Sequence, residues 1–222
     1  MCLVDTYRFY IANVGTLTSI VLPFALVIDL FDIWLQTEPL PGTNLSLLAY
    51  LPLLLFYPLY QAATVFFIAS AVSGQRLDVS QCFKHACRFW TPLLILYVIS
   101  APLIWVGFLL LIIPGLIVAA RLLFAEFYCL FDGMQPVEAL KTSWSETREL
   151  QWAIVVGLVV VAVTCALPVI LLERFVAALG EMNHVVVLTL SVFSAVLSTP
   201  PTVFAFRLYL AHQQSKQNER QP

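Results

Sequence analysis

Three sets of residues in this chain have types and spacings that suit chemistry. Cys82, His85 and Cys87 form C-x2-H-x-C, a run of soft donors of the kind that binds zinc. A fourth ligand is missing, and Cys87 is poorly placed beside Cys82 on a helix. The two thiols read better as small apolar fillers of a buried face, with His85 solvated, and no metal is expected. Arg121 and Glu126 lie within an apolar run, where a charge near the bilayer centre costs at least about 2.5–3.5 kcal/mol. Such residues are binding or gating candidates. Five residues apart on a helix, they face different directions and need not pair. Asp29 is a partner for Arg121 only if the depths of the two match. Arg121 is expected to point into the bundle or a water-accessible cytoplasmic pocket and bind an acceptor, a carboxylate or a phosphate headgroup, since its planar fork suits both; the plainer alternative is that it snorkels or binds a backbone carbonyl or a lipid headgroup. The third set is neutral. Gln61 stands with Tyr57, Tyr60 and Thr64, and Ser191, Ser194, Ser198 and Thr202 form a stripe at helical spacing. Both sets read as packing seams, where small polar residues let helices approach and hydrogen-bond.

No fingerprint of a catalytic site or a cofactor accompanies them. HExxH, G-x-S-x-G and Walker patterns are absent, and His85, His184 and His212 are scattered. An enzyme is not expected, nor is a cofactor. A net charge of −2 without a sustained basic run gives no reason to expect a nucleic-acid partner. The five cysteines show no disulfide-framework spacing. The N-terminus lacks a basic region and a cleavage site, so the first apolar run should remain in the mature protein.

The elements that carry these residues follow from composition. The chain is 61% hydrophobic and 11% charged, against roughly 45–50% and about 25% in soluble domains. Lipid as solvent accounts for both departures. Runs long enough to cross about 30 Å of hydrocarbon fall near 9–35, 45–73, 91–112, 114–131, 150–172 and 184–211. The chain therefore reads as all-α, a polytopic transmembrane bundle of about six spans in a single membrane domain over 1–222. The block 91–131 is too long for one span. Its turn lies either at "IIPGL" (112–116), where Pro114 would open a helix, or near Trp105-Val106-Gly107, where Pro114 would be a kink.

Two segments between spans are amphipathic. In "GQRLDVSQCFKHACRFW" (74–90), Asp78 and Gln81 form a capping box. Val79, Cys82, Phe83, Ala86, Cys87 and Trp90 make an apolar stripe, with Lys84, His85 and Arg88 opposite. A helix over about 78–90 with this pattern should lie in the interface. Arg76, Lys84 and Arg88 would then meet anionic headgroups. A second helix, about 136–148, starts at Pro136 and sets Val137, Leu140, Trp144 and Thr147 on one face. Residues 213–222 read as a flexible tail.

Of 11 Lys and Arg, only Arg174 falls in the 173–183 loop, and none falls in 36–44 or 107–114. The rest lie at or near the opposite ends, with Arg121 inside span four. By the positive-inside rule both termini are cytoplasmic. "YRFYIANVGTLTSIVLP" (7–23), "CRFWTPLLILYVISAP" (87–102) and "TRELQWAIVVGLVVVAVTCALP" (147–168) each run from a surface Arg to a deep Pro. With "ARLLFAEF" (120–127) and "FRLYLAHQ" (206–213), they suggest three pseudo-repeated hairpins.

"SGQRLDVSQCF" (73–83), "IIPGLIVAA" (112–120), "ALKTSWSETR" (139–148) and "FRLYLAHQQ" (206–214) resemble the YciC family of bacterial inner-membrane proteins. The matching residues are Gly74, Gln75 and Arg76; Pro114 and Gly115; Lys141, Ser143 and Thr147; and Phe206, Arg207, Leu208 and Tyr209. The resemblance covers most of the chain from about Tyr7 to Gln214. More distantly, it is similar to the membrane domains of some glycerophosphodiester phosphodiesterases, without their catalytic domain. The 36–44 loop is short for the family, which argues against a periplasmic binding surface there. The resemblance implies a multi-pass inner-membrane location and no assigned activity.

Two functions compete. One is a non-enzymatic component that binds lipid, a membrane-protein partner or a second copy and supports envelope homeostasis. The other is a small transporter or flippase of a lipid-like molecule. A continuous polar cavity through Arg121, Glu126 and Gln61 would favour the transporter, and a packed bundle the component. The candidate lipid- or ligand-binding residues are Arg121, Glu126, Gln61, Arg76, Lys84, Arg88 and Arg207.

Overall fold

A computed structural model describes residues 2–37, 45–75, 77–178 and 184–219. Every regular element among them is a helix: α1 (Cys2–Thr37), α2 (Leu45–Val72), α3 (Val79–Leu110), α4 (Ile112–Leu122), α5 (Ala125–Phe131), α6 (Pro136–Glu146), α7 (Gln151–Ala178), α8 (His184–Leu197) and α9 (Pro200–Glu219). They make six segments long and apolar enough to cross a membrane, with α4 and α5 forming one and α8 and α9 another. The protein is an all-α, multi-pass membrane bundle.

The breaks have local causes. Between α3 and α4 the chain reverses at one extended residue, Leu111 (φ −168°, ψ 159°). Its N–H donates to the Gly107 carbonyl, and the Gly115 N–H donates to its own carbonyl, each at 3.2 Å. Pro114 therefore sits in the first turn of α4, where its missing N–H costs nothing. The reversal needs two glycines. A Cβ on Gly107 would stand 2.9 Å from the Gly115 Cα, and one on Gly115 would stand 2.5 Å from the Phe108 ring.

Pro200-Pro201 separates α8 from α9. Pro200 has no N–H to offer the carbonyl four residues back. That carbonyl, on Val196, accepts instead from the Thr199 hydroxyl at 3.0 Å and the Tyr10 hydroxyl at 3.1 Å. A contact from α1 thus covers the gap.

The amphipathic segment after α2 is not a separate interfacial helix. The capping box forms, with Gln81 accepting from the Asp78 N–H at 3.1 Å and Asp78 from the Ser80 N–H at 3.4 Å. The helix it starts then continues unbroken through the third span. Its apolar face meets protein rather than acyl chains: Cys82 and Ala86 are fully buried in the core. Cys87, expected on that face, is exposed, while Cys82 alone acts as filler. Helix α6 forms where predicted, but its buried face is turned by about one residue. Ala139, Leu140, Ser143 and Thr147 are buried, whereas Val137 and Trp144 are exposed. Helix α9 continues to Glu219, through positions predicted to be tail.

The core lies where α2, α3, α5 and α9 converge. Ala62, Ala63, Ala86, Ala120, Ala125 and Ala205 are buried there beside Phe124 and Phe127. Small side chains let helix backbones close up, which lipid-solvated helices need because no hydrophobic force drives them together.

Candidate ligand-binding cavity

The sequence candidates divide between two places. The first is a structural latch. Helix α4 stops after Leu122 and the chain turns before α5. Ser143 of α6 bridges the gap, its hydroxyl donating to the Arg121 carbonyl at 2.7 Å and accepting from the Phe124 N–H at 3.1 Å. The Thr147 hydroxyl reaches the Ser143 carbonyl at 2.7 Å and the Arg121 carbonyl at 3.1 Å.

Arg121 belongs to this junction. Its Nε and Nη2 donate to the Gln151 side-chain carbonyl at 3.0 and 2.8 Å, and its guanidinium lies 4.9 Å from the centre of the Trp144 ring. Arg121 does point into the protein and does find an acceptor. That acceptor is a neutral amide of α7 rather than a carboxylate, because the start of α7 stands beside the end of α4. Asp29 is no partner to it.

Glu126 and Gln61 lie in the second place, a cavity of about 680 Å³ enclosed by α2, α3, α4, α5, α7 and α9. Each element contributes for a local reason. The turn after α4 reorients α5 so that Glu126, in its first turn, faces inward. The Pro200-Pro201 break starts α9 at the depth where Thr202 accepts from the Gln61 amide at 3.1 Å. Tyr57 stands edge-to-face with Tyr97, ring centres 4.9 Å apart, and with Tyr60 at 5.3 Å. Tyr57, Gln61, Tyr97, Ser100 and Thr202 are the neutral polar residues of the lining; the rest is mainly leucine, isoleucine and alanine.

Glu126 is the one charged residue among the described lining residues, and no Lys, Arg or His accompanies it. Its Oε1 is buried and meets no donor at full hydrogen-bond geometry, while the Tyr97 hydroxyl and the Gln61 amide, both neutral, stand beside the carboxyl and interact with it. Tyr57, Tyr60 and Tyr97 are all close enough to interact with its charge. Leu53, Leu54 and Ala101 of the wall are exposed on the outer surface of the bundle. In a membrane that surface is lipid, so the cavity opens sideways.

A smaller cavity, about 250 Å³, lies between α1, α2, α7 and α8. Asp29, Glu173, Tyr60, Ser191, Ser194 and Ser198 line it. The serine stripe therefore faces a space and is not simply a packing seam. The Asp29 Oδ2 is buried without a partner.

The basic candidates lie elsewhere. Lys84 and Arg88 are exposed on α3. Arg207 of α9 is 4.0 Å from Asp5, and its guanidinium lies 5.5 Å from the Phe9 ring, which ties α9 to α1. Arg76 lies outside the described residues. Sequence reasoning missed Tyr97, Ser100 and Thr202 as companions of Glu126. Pro102, five residues after Tyr97, marks α3 as irregular, but no pattern in the sequence pointed to a shared cavity.

No family model matches the chain, and no curated protein or solved structure does.

Proposed function

We propose that this protein is a non-enzymatic lipid-binding component of the bacterial inner membrane, both termini cytoplasmic, whose large cavity holds one lipid-like amphiphile. One observation carries the reading: an apolar cavity, open to lipid on one side, contains a carboxylate oxygen with no partner. Burying such an atom unpaired is costly. A ligand whose head donates to it and whose tail fills the apolar walls offsets that cost. Membrane lipids are the available molecules of that shape. The basic residues gathered at one end of the spans, and the resemblance to the YciC family, support the location and orientation.

A second reading, transport of the same amphiphile, draws on the smaller cavity. Tyr60 lines that cavity and packs on Tyr57 of the larger one, so one residue separates two polar spaces. Arg121 takes no part in either lining, which removes one of the three residues that the transport reading invoked.

Native mass spectrometry of protein released from its membrane tests the reading. The wild type should carry one amphiphile. Ala119→Phe, which fills the cavity from α4, should lose it while helical content stays the same. Equal retention by both forms would refute binding in this cavity.

A further inference from the structure

The charge inventory of the cavity narrows its ligand, on the premise that the cavity does bind an amphiphile. A general lipid pocket would balance a carboxylate with a base, or carry none. Here four facts point one way. Glu126 is the sole charged residue of the lining among the described residues. The groups beside its carboxyl, Tyr97 and Gln61, are neutral, and neither meets Oε1 at full hydrogen-bond geometry. The nearest guanidinium on the same span, Arg121, is committed to Gln151 and Trp144 at the α4–α7 junction. Around the carboxyl, Tyr57, Tyr60 and Tyr97 form a continuous edge-to-face array.

Aromatic faces carry negative potential and attract cations, more strongly once water is excluded. A carboxylate in low dielectric attracts a cation more strongly still and repels an anion equally. The remaining lining is hydrocarbon. No cationic side chain lines the cavity among the described residues, so the lining offers a phosphate or sulfate head no counter-charge.

We infer that the cavity is selective for amphiphiles with a cationic ammonium head, the head lying between Glu126 and the tyrosines and the tail leaving by the lateral opening between Leu53, Leu54 and Ala101. The ammonium N–H groups supply the donor that Glu126 Oε1 lacks. Gln61 gives one N–H to Thr202 and keeps the other beside the carboxyl, where, like the Tyr97 hydroxyl, it is a neutral neighbour that leaves the charge of Glu126 unbalanced. This assigns a sign to the head group, which the proposed function leaves open.

The test compares three probes of one chain length: dodecylammonium, dodecanol and dodecyl sulfate. Binding to the full-length protein is measured in phosphatidylcholine nanodiscs at neutral pH, with empty nanodiscs subtracted. Dodecylammonium should bind at least tenfold tighter than dodecanol, and dodecyl sulfate should not bind. Glu126→Gln, which keeps the shape and removes the charge, should erase the preference for ammonium over dodecanol. Equal binding of ammonium and alcohol by the wild type would overturn the cation selectivity but leave an amphiphile pocket in place. Absence of binding by every probe would overturn both. Tighter binding of the sulfate, or an undiminished ammonium preference in a folded Glu126→Gln protein, would also overturn the inference. Should that variant fail to fold, the wild-type ranking still decides, and Tyr97→Leu should weaken ammonium binding more than alcohol binding.

Discussion

Ser143 does more for the fold than its size suggests. It is fully buried, and its hydroxyl satisfies an acceptor and a donor on the two sides of the α4–α5 break. A helix break inside a membrane exposes backbone groups that lipid cannot satisfy. Ser143→Ala should leave the Phe124 N–H without a partner, at a cost of about 1–3 kcal/mol. Thermal unfolding in detergent should register this as a lower midpoint, and Ser143→Thr should lose less than Ser143→Ala. Arg121 works on the same junction from the outside, through its fork on Gln151. Its charge is retained where a neutral residue would pack more cheaply because one side chain ties α4 to both α6 and α7. Glu126 differs from both: the groups beside its carboxyl, Tyr97 and Gln61, are neutral, and no cation lines its cavity among the described residues.

Helix α6 and the last turns of α9 show how one end of the bundle is held. Glu146 accepts from Lys216 and from His212 at 3.1 Å, both on α9. Burial pushes the Glu146 carboxyl up, but the hydrogen bonds and charges of Lys216 and His212 outweigh it and leave it below its ordinary value. A carboxyl lowered in the folded state contributes stability above its unfolded value, about 4.3. That contribution is lost as pH falls through the lower folded value. The end of α9 should therefore stay docked at neutral pH and loosen under acid below about pH 4. Hydrogen exchange over residues 213–218 should rise across that window in the wild type. In Glu146→Gln it should be raised already at neutral pH and change little with acid. At the other end of the bundle, the Gly107–Gly115 approach makes the α3–α4 reversal possible within one residue. Trp105, Leu109 and Ile112 around it are more than two-thirds exposed, an apolar tip suited to lipid rather than water.

For the molecule as a whole, orientation is the property on which the functional reading depends most. Single cysteines on a cysteine-free background should label from the cytoplasm at Ser80, Lys141 and Asn218, and from the opposite side at Gly42 and Ala178. A C-terminus on the far side would contradict the six-span arrangement. In the proposed orientation the Glu126 cavity lies within the hydrocarbon layer, and its exposed wall residues Leu53, Leu54 and Ala101 face sideways to lipid. The latch and the Glu146–Lys216 pair both lie toward the cytoplasmic end. Stiffness at that end and an opening toward lipid suit a protein that takes ligand from the bilayer.

The number of spans was legible in the sequence because its cause is local: apolar run length sets the spans, and Asp78 with Gln81 sets a cap. Pro114 marked one of two places for the α3–α4 turn, and only the packed structure chose between them, as it did the breaks after Leu122 and before Pro200. The candidates Gln61 and Glu126 were visible too, since polar atoms in hydrocarbon are rare and costly. Their meeting was not. Gln61 reaches Thr202 across 141 positions, and Tyr97 reaches Glu126 only because the turn after α4 rotates α5. Spans such as α7 are apolar on every side, so no periodicity tells which face turns inward. Rotation and tilt are decided by side-chain fit between helices. The continuity of α3 from cap to span, the rotation of α6 and the neutral partner of Arg121 belong to the same class. Each depends on where a neighbouring helix stands, and that position is a property of the packed bundle.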